Sequence, residues 1–315
     1  MKVVLHYAAG PGLTRRVAEA ERQHGLRVAI CPVADRARYR TEMADAEVLW
    51  HLLDPVSDAV LEAAPALRLV QKIGVGVNTI DLEAARRRGV AVCNMPGTNT
   101  QAVAEMTLLL ILAALRRVAR LDAATRAGEG WRLPAEVQDR YGEVRGRTVG
   151  LVGYGAVPGR LAPMLAAMGA RVLFASRSPK PDATGERRSL DALLRESDVV
   201  SLHLPLTAET ERLIDAAAIA RMKPGAVLVN TARGALVDEA ALADALGRGH
   251  LGAAGLDVFE VEPVPPGSPL LDLDNVVVTP HVAWLTQETM ERSLAVAAEN
   301  CRRLGANEPL LHRVV

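Results

Sequence analysis

Short apolar runs alternate with helix-period stretches along most of the chain. In the first 97 residues, strand-like runs occur at Val3 to Tyr7, Arg27 to Cys31, Glu47 to His51, Leu69 to Ile73 and Val90 to Cys93. Leu13 to His24, Ser57 to Ala64 and Asp81 to Arg88 carry helical patterns between them, and Asp54-Pro55, Gly74-Val75-Gly76 and Pro96-Gly97 punctuate the series. This alternation predicts a small parallel α/β domain. Thr98 to Ala119 then predicts a long helix with a buried face of Val103, Met106, Leu109, Leu110 and Ala113, capped by Asn99 or Thr100. Gly128 to Gly146 is polar and irregular, and Trp131 is its expected anchor.

A second α/β series starts at Arg147. The apolar run Val149 to Val152 breaks at Gly153-Tyr154-Gly155, Arg160 to Met168 suits a helix, and Arg171 to Ala175 reads as the next strand. This is half of a nucleotide-binding unit. Its glycines permit a tight strand-to-helix turn, and a helix N-terminus offers free backbone N–H groups to a pyrophosphate. In the pattern G-x-G-x-x-G the third glycine would stand at position 158, but Pro158 is there and Gly159 follows. Proline is tolerated in a first helical turn, where its missing N–H breaks no bond. It threatens close packing of helix on strand, a task Gly159 is placed to share. Further strands are expected at Asp198 to Leu204, Ala226 to Thr231, Ala253 to Val258 and Asn275 to Val278. Helices at Leu190 to Arg195, Asp215 to Met222 and Glu239 to Gly247 separate them, giving the six strands of a doubly wound dinucleotide domain. Gln287 to Leu304 is a last helix, long enough to return to the first domain.

Composition narrows the class. Of 315 residues, 50% are hydrophobic and 23% charged, with 37 basic and 37 acidic side chains. No basic run points to nucleic acid or an anionic membrane, and a formal net charge of zero leaves self-association open. Cys31, Cys93 and Cys301 lie far apart and form no metal-site spacing, so reduced buried thiols are expected and no metal. The N-terminus reads as a strand rather than a signal peptide, and the apolar stretch from Met106 to Leu115 is too short to span a bilayer. A cytoplasmic enzyme is the expectation.

The chemistry gathers where strands should end, the edge at which open α/β sheets bind ligands. His203, Thr231-Ala232-Arg233-Gly234, Asp257 with Glu260 and Glu262, and Thr279-Pro280-His281 all follow strand-like runs. An arginine, a carboxylate and a histidine can together serve hydride transfer at a carbonyl. The guanidinium grips a carboxylate and a carbonyl oxygen, the imidazole supplies a proton near neutral pH, and a carboxylate orients the ring. Each residue also has an ordinary reading: a turn donor for Arg233, a solvated charge for Glu262, a helix or loop cap for Asp257, a turn residue for His281.

Taken together, GYG at 153–155, LHLPLTAET at 202–210, MKPGAVLVNTARGALVDEAAL at 222–242, GLDVFEVEP at 255–263 and TPHVAW at 279–284 resemble the D-isomer-specific 2-hydroxyacid dehydrogenase family. So do KIGVGVNTID at 72–81 and NMPGTNTQAVAE at 94–105. The resemblance implies an NAD(P)-dependent 2-hydroxyacid dehydrogenase with two Rossmann-like doubly wound domains separated by a cleft. The flavodoxin-like substrate domain would comprise residues 1–97 plus 285–315, and the dinucleotide-binding domain residues 98–284. It further implies a cleft that closes on a hinge, and a homodimer paired through the cofactor domains. Arg233, Glu262 and His281 match the catalytic residues, and Val75 and Gly76, with Arg233 and His281, the substrate site. Asp257 matches the partner of the nicotinamide amide, and Thr231 and Ala232 its lining. Thr100, Gly153, Gly155, Ala156 and Val157 match other cofactor contacts, and His203 and Pro205 the loop beneath the adenosine.

Two departures bear on ligand choice. Asn78 stands where many members have aspartate. More tellingly, the second strand of the nucleotide unit ends in Ala175-Ser176-Arg177-Ser178, without the acidic residue that grips a ribose 2′-OH. A guanidinium and two hydroxyls suit a 2′-phosphate, so NADP(H) is the expected cofactor, with NAD(H) possible. The resemblance is then to the glyoxylate and hydroxypyruvate reductase branch, reducing a small 2-oxoacid. Trp284 has two readings, a wall of the substrate site or packing. Alternatives are a dehydrogenase of another small acid such as phosphite, an inactive dehydrogenase-like subunit, and a non-enzymatic corepressor-like scaffold. Formate is disfavoured because that branch pairs its histidine with glutamine where this chain has Glu262.

Overall fold

Strand β1 (Lys2–His6) pairs in parallel with β2 (Arg27–Cys31) on one side and β3 (Val48–His51) on the other. With β4 (Leu69–Lys72) and β5 (Ala91–Cys93) they form a five-stranded sheet in the flavodoxin-like order β2-β1-β3-β4-β5. Every residue of β3, β4 and β5 is buried, as expected for parallel strands covered on both faces. The computed structural model describes residues 1–315, with the side chains at positions 135 and 138 left aside. The chain divides into two compact units, Met1–Asn99 with Leu285–Val315, and Thr100–Trp284.

In the first unit, α1 (Pro11–His24), α3 (Asp58–Glu62) and α4 (Leu82–Arg87) lie where the sequence pattern puts helices. A further helix, α2 (Arg36–Met43), was not expected. Its sequence is mostly polar and only Met43 is buried, so the apolar period is too thin to read; Asp35 starts it by accepting the Arg38 N–H at 3.0 Å. The C-terminal helix (Gln287–Gly305) belongs to this unit and packs on α1. Its buried Asn300 donates to Gln71 Oε1 at 2.6 Å, and Arg292 donates to the Thr98 carbonyl at 2.8 Å.

The second unit opens with α5 (Thr100–Arg116), which stops at Arg117, a residue with φ of 52°, before α6 (Val118–Arg126). The expected single helix to residue 119 is therefore two. Leu109, expected on the buried face, is 56% exposed, because Thr107, Leu110 and Ile111 turn inward instead. Trp131, the expected anchor, is 88% exposed. The sheet follows: β6 (Thr148–Val152), β7 (Arg171–Ala175), β8 (Glu186–Arg187), β9 (Val199–Leu202), β10 (Val227–Asn230), β11 (Ala253–Leu256) and β12 (Val276–Val278). Their order, β12-β11-β10-β9-β6-β7-β8, reverses direction between β6 and β9, the switch point of a Rossmann-like doubly wound fold. Six of the strands match the sequence pattern; the seventh, β8, is two residues long and carries no periodicity. Helices α7 (Ala156–Ala167), α8 (Leu190–Glu196), α9 (Ala216–Arg221) and α10 (Glu239–Gly247) cross between strands. Among the described residues, no helix is long and apolar enough to cross a membrane, and no group of three His, Cys, Asp or Glu is placed to hold a metal.

Candidate active site

The end of β10 is shaped by Asn230. Its Oδ1 accepts the Ala232 N–H at 3.0 Å and its Nδ2 donates to the Arg233 carbonyl at 2.8 Å, so one side chain closes the turn that presents Arg233. Gly234 then passes against the chain after β11. A Cβ there would lie 1.8 Å from the Phe259 carbonyl carbon and 2.3 Å from the Glu260 nitrogen, so only glycine fits. This contact brings the arginine loop to the carboxylate loop. Burial pushes the Arg233 guanidinium down from its ordinary pKa, and the charge of Glu262 opposes that shift. A buried cation of this kind gains from an anionic ligand. Arg233 Nη1 donates to the Ala232 carbonyl at 2.6 Å. Thr231 is buried, and its hydroxyl lies 2.8 Å from that of Thr107 on α5.

Glu262 and His281 are joined directly. Glu262 Oε1 accepts the Phe259 N–H at 3.0 Å, and Oε2 lies 2.6 Å from His281 Nδ1. Burial alone would raise the Glu262 pKa. The bonds from His281 and Phe259, with the charges of His281 and Arg233, outweigh it and hold the carboxylate below the usual range. With the Nδ1 proton committed to Glu262, Nε2 is left without a hydrogen-bond partner among the described residues.

Asp257 carries the histidine loop. It is fully buried; Oδ1 accepts the Thr279 hydroxyl at 2.5 Å and the Val282 N–H at 2.9 Å, and Oδ2 accepts the Ala283 N–H at 2.9 Å. Its own carbonyl accepts the His281 N–H at 2.8 Å. The resemblance assigns Asp257 to the nicotinamide amide; among the described residues its side-chain hydrogen bonds go to the 279–283 loop, and its own N–H donates to the Asn230 carbonyl at 3.0 Å. Burial raises its pKa against the lowering effect of these bonds. Trp284 donates from Nε1 to the His281 carbonyl at 3.0 Å, closing the loop from the other side.

The nucleotide half lies at the switch point. Gly153, with φ of 97°, sits where a Cβ would meet the His203 carbonyl at 2.6 Å, so the β6 and β9 ends run in contact. Gly155 faces open space, and Ala156 and Val157 begin α7, where helix geometry leaves their N–H groups without partners. Pro158 falls in this first turn and is itself buried; Gly159 does not share its packing, since a Cβ there would touch nothing within 4 Å. A cavity of about 750 Å³ extends from Val152 and Gly153 to Ser176, Arg177, Arg187 and Leu204. Open glycine and free helix N–H groups fit a dinucleotide pyrophosphate, and the far wall of the groove is cationic. Ser176 Oγ donates to the Ser178 carbonyl at 2.7 Å, which shapes the loop instead of leaving the hydroxyl open. His203 bonds to Ser201 Oγ at 2.9 Å, while Pro205 is exposed and its carbonyl accepts the Thr210 hydroxyl at 2.7 Å. Thr100 is the half-buried first residue of α5. In the first unit, Val75 is 44% exposed, its carbonyl held by Asn94 Nδ2 at 2.9 Å, and Gly76 is half-buried. Arg187, which lines the cavity, carried no sequence signal.

Residues 108–283 match the family model for the NAD-binding domain of D-isomer specific 2-hydroxyacid dehydrogenases. A glyoxylate reductase of Aeropyrum pernix is 46% identical over 264 residues, covering 81% of this chain and 79% of that protein. The crystal structure of the TT0316 protein from Thermus thermophilus superposes with a TM-score of 0.89 at 40% identity, over 100% of both chains. That of a glyoxylate reductase from Paecilomyes thermophila does so at 0.84 and 28% identity, covering 100% of this chain and 98% of that one. The chain belongs to the D-isomer-specific 2-hydroxyacid dehydrogenase family and is an oxidoreductase with an NAD(P)-binding domain.

Proposed function

We propose that the protein reduces a small 2-oxoacid, of the glyoxylate or hydroxypyruvate kind, to the D-2-hydroxyacid with NADPH. The observation that carries this is the 2.6 Å Glu262–His281 pair beside Arg233, with the imidazole Nε2 left for a ligand. Relatives named glyoxylate reductase support the substrate class. A bound nicotinamide supplies the hydride. Arg233 grips the substrate carboxylate and the carbonyl oxygen, which fixes C2 and draws charge onto that oxygen. His281 Nε2 gives the oxygen its proton, and Glu262 holds the ring in orientation. Asp257 keeps His281 in place through the 279–283 loop. Val75 and Gly76, in the first unit, are assigned to the carboxylate as backbone donors. Residues 153–157 take the pyrophosphate, and Arg177 takes the 2′-phosphate.

The assay is turnover of glyoxylate, hydroxypyruvate and pyruvate, followed by NADPH absorbance, with NADH in parallel. Turnover of at least one acid, faster with NADPH, is expected. Tight NADPH binding with no turnover across the panel would point instead to a nucleotide-binding scaffold. The proposal also takes the enzyme as a homodimer, a state that would cover the exposed Trp131; sedimentation at the monomer mass would remove that part.

A further inference from the structure

Three arginines line the groove beyond β7, and they are not equivalent. Arg188 donates to Glu186 Oε2 at 2.6 Å and to Glu196 Oε1 at 3.2 Å, so two carboxylates neutralise it. Arg177 and Arg187 make no such ion pair among the described residues. Arg187 instead lies on two backbone carbonyls. Its Nη2 donates to the Ser176 carbonyl at 2.9 Å and the Arg177 carbonyl at 3.0 Å, and its Nε to Ser176 at 3.3 Å.

The segment between these residues is held at its far side as well. The Tyr154 hydroxyl accepts the Thr184 N–H at 2.9 Å and donates to the Thr184 carbonyl at 3.2 Å. Tyr154 is the middle residue of the glycine turn, and its ring rests on Phe174 of β7 with centroids 4.5 Å apart. The 2′-phosphate loop is thus tied to the pyrophosphate turn at one end and to β8 at the other.

We infer that Arg187 is a second specificity-determining residue for the cofactor, acting with Arg177 on the 2′-phosphate. The inference rests on the NADPH reading above. Bare carbonyls at Ser176 and Arg177 would turn negative dipole ends toward a phosphate and repel it. The Arg187 guanidinium covers both, adds an uncompensated positive charge to the groove and sets the backbone from which Arg177 projects. A 2′-OH needs none of this, since it can donate to either carbonyl. Removing Arg187 should therefore act on one dinucleotide and spare the other.

The test is calorimetric titration of NADP⁺ and NAD⁺, and of the fragments 2′,5′-ADP and 5′-AMP, into the wild type, Arg187→Ala and Arg187→Lys. Arg187→Ala should weaken NADP⁺ and 2′,5′-ADP about tenfold or more, the loss of a charge-assisted contact, and leave NAD⁺ and 5′-AMP within about twofold. Arg187→Lys should recover part of the loss, because a lysine restores the charge without the planar two-carbonyl clamp. Equal weakening of all four ligands, or an unchanged NADP⁺ to NAD⁺ ratio in Arg187→Ala, overturns the inference and leaves the NADPH reading standing. A wild type that binds NAD⁺ as tightly as NADP⁺ overturns both.

Discussion

Glu262 holds His281 at 2.6 Å with the one carboxylate oxygen that the Phe259 N–H does not occupy. The pair is a single oriented unit, ring and carboxylate together. His281→Ala should lower kcat about 10²–10⁴-fold, the usual worth of a positioned acid or base, with NADPH affinity nearly unchanged. Glu262→Gln should fall between wild type and that variant. Steady-state kinetics with glyoxylate read both, and a His281→Ala enzyme of normal kcat would remove histidine from the mechanism.

Arg177 lines the groove beyond β7 and makes no direct ion pair among the described residues. Its replacement by alanine should cut kcat/KM with NADPH about 10- to 150-fold, the worth of a charged hydrogen bond, and leave the NADH value nearly alone. If both cofactors respond alike, the arginine is not reading the 2′-phosphate.

Gly234 has no room for a methyl group, since its Cβ would overlap the Phe259 backbone at 1.8 Å. Gly234→Ala must push the arginine loop off the carboxylate loop. A loss of about 1–3 kcal/mol or more of stability is expected, together with loss of turnover. Thermal unfolding and an activity assay check it; a fully active, equally stable variant would contradict the close approach.

Burial pushes the His203 imidazole from 6.5 down to about 3. The unfolded chain therefore takes up a proton near 6.5 that the folded chain refuses until about pH 3. Across that window the unfolded state binds more protons, so stability rises with pH and is lost as pH falls. In His203→Asn this contribution disappears, and Tm should decline less steeply from pH 6.5 toward 4 than in the wild type. Parallel declines would mean that another group carries the acid sensitivity.

The fold class was legible because parallel strands buried on both faces read as apolar runs, and those runs end at the polar residues of the site. Arg233, Glu262 and His281 stand out for that reason, each just beyond a strand. What escaped reading was made by contacts distant in sequence. Arg187 meets Ser176 only because β8 pairs with β7, and a two-residue strand leaves no pattern. The side-chain partners of Asp257 within the loop lie 22 to 26 residues on, at Thr279, Val282 and Ala283, a spacing that carries no local pattern. Leu109 and Trp131 were expected inside on hydrophobicity alone, which cannot say which apolar residues of a surface segment stay outside.

His281 has a φ of 55°, in the left-handed region that side chains other than glycine rarely adopt. Asp257 imposes it, taking the His281 N–H on its carbonyl while its side chain fixes the residues on either side. Such a conformation costs of order 1–3 kcal/mol and survives because its surroundings over-determine it. The fold thus aims this imidazole at the expense of its own robustness. His281→Gly, relieved of that tension, should melt at a higher temperature than His281→Ala while being just as inactive, so the most durable form of this fold would be one that has given up its chemistry.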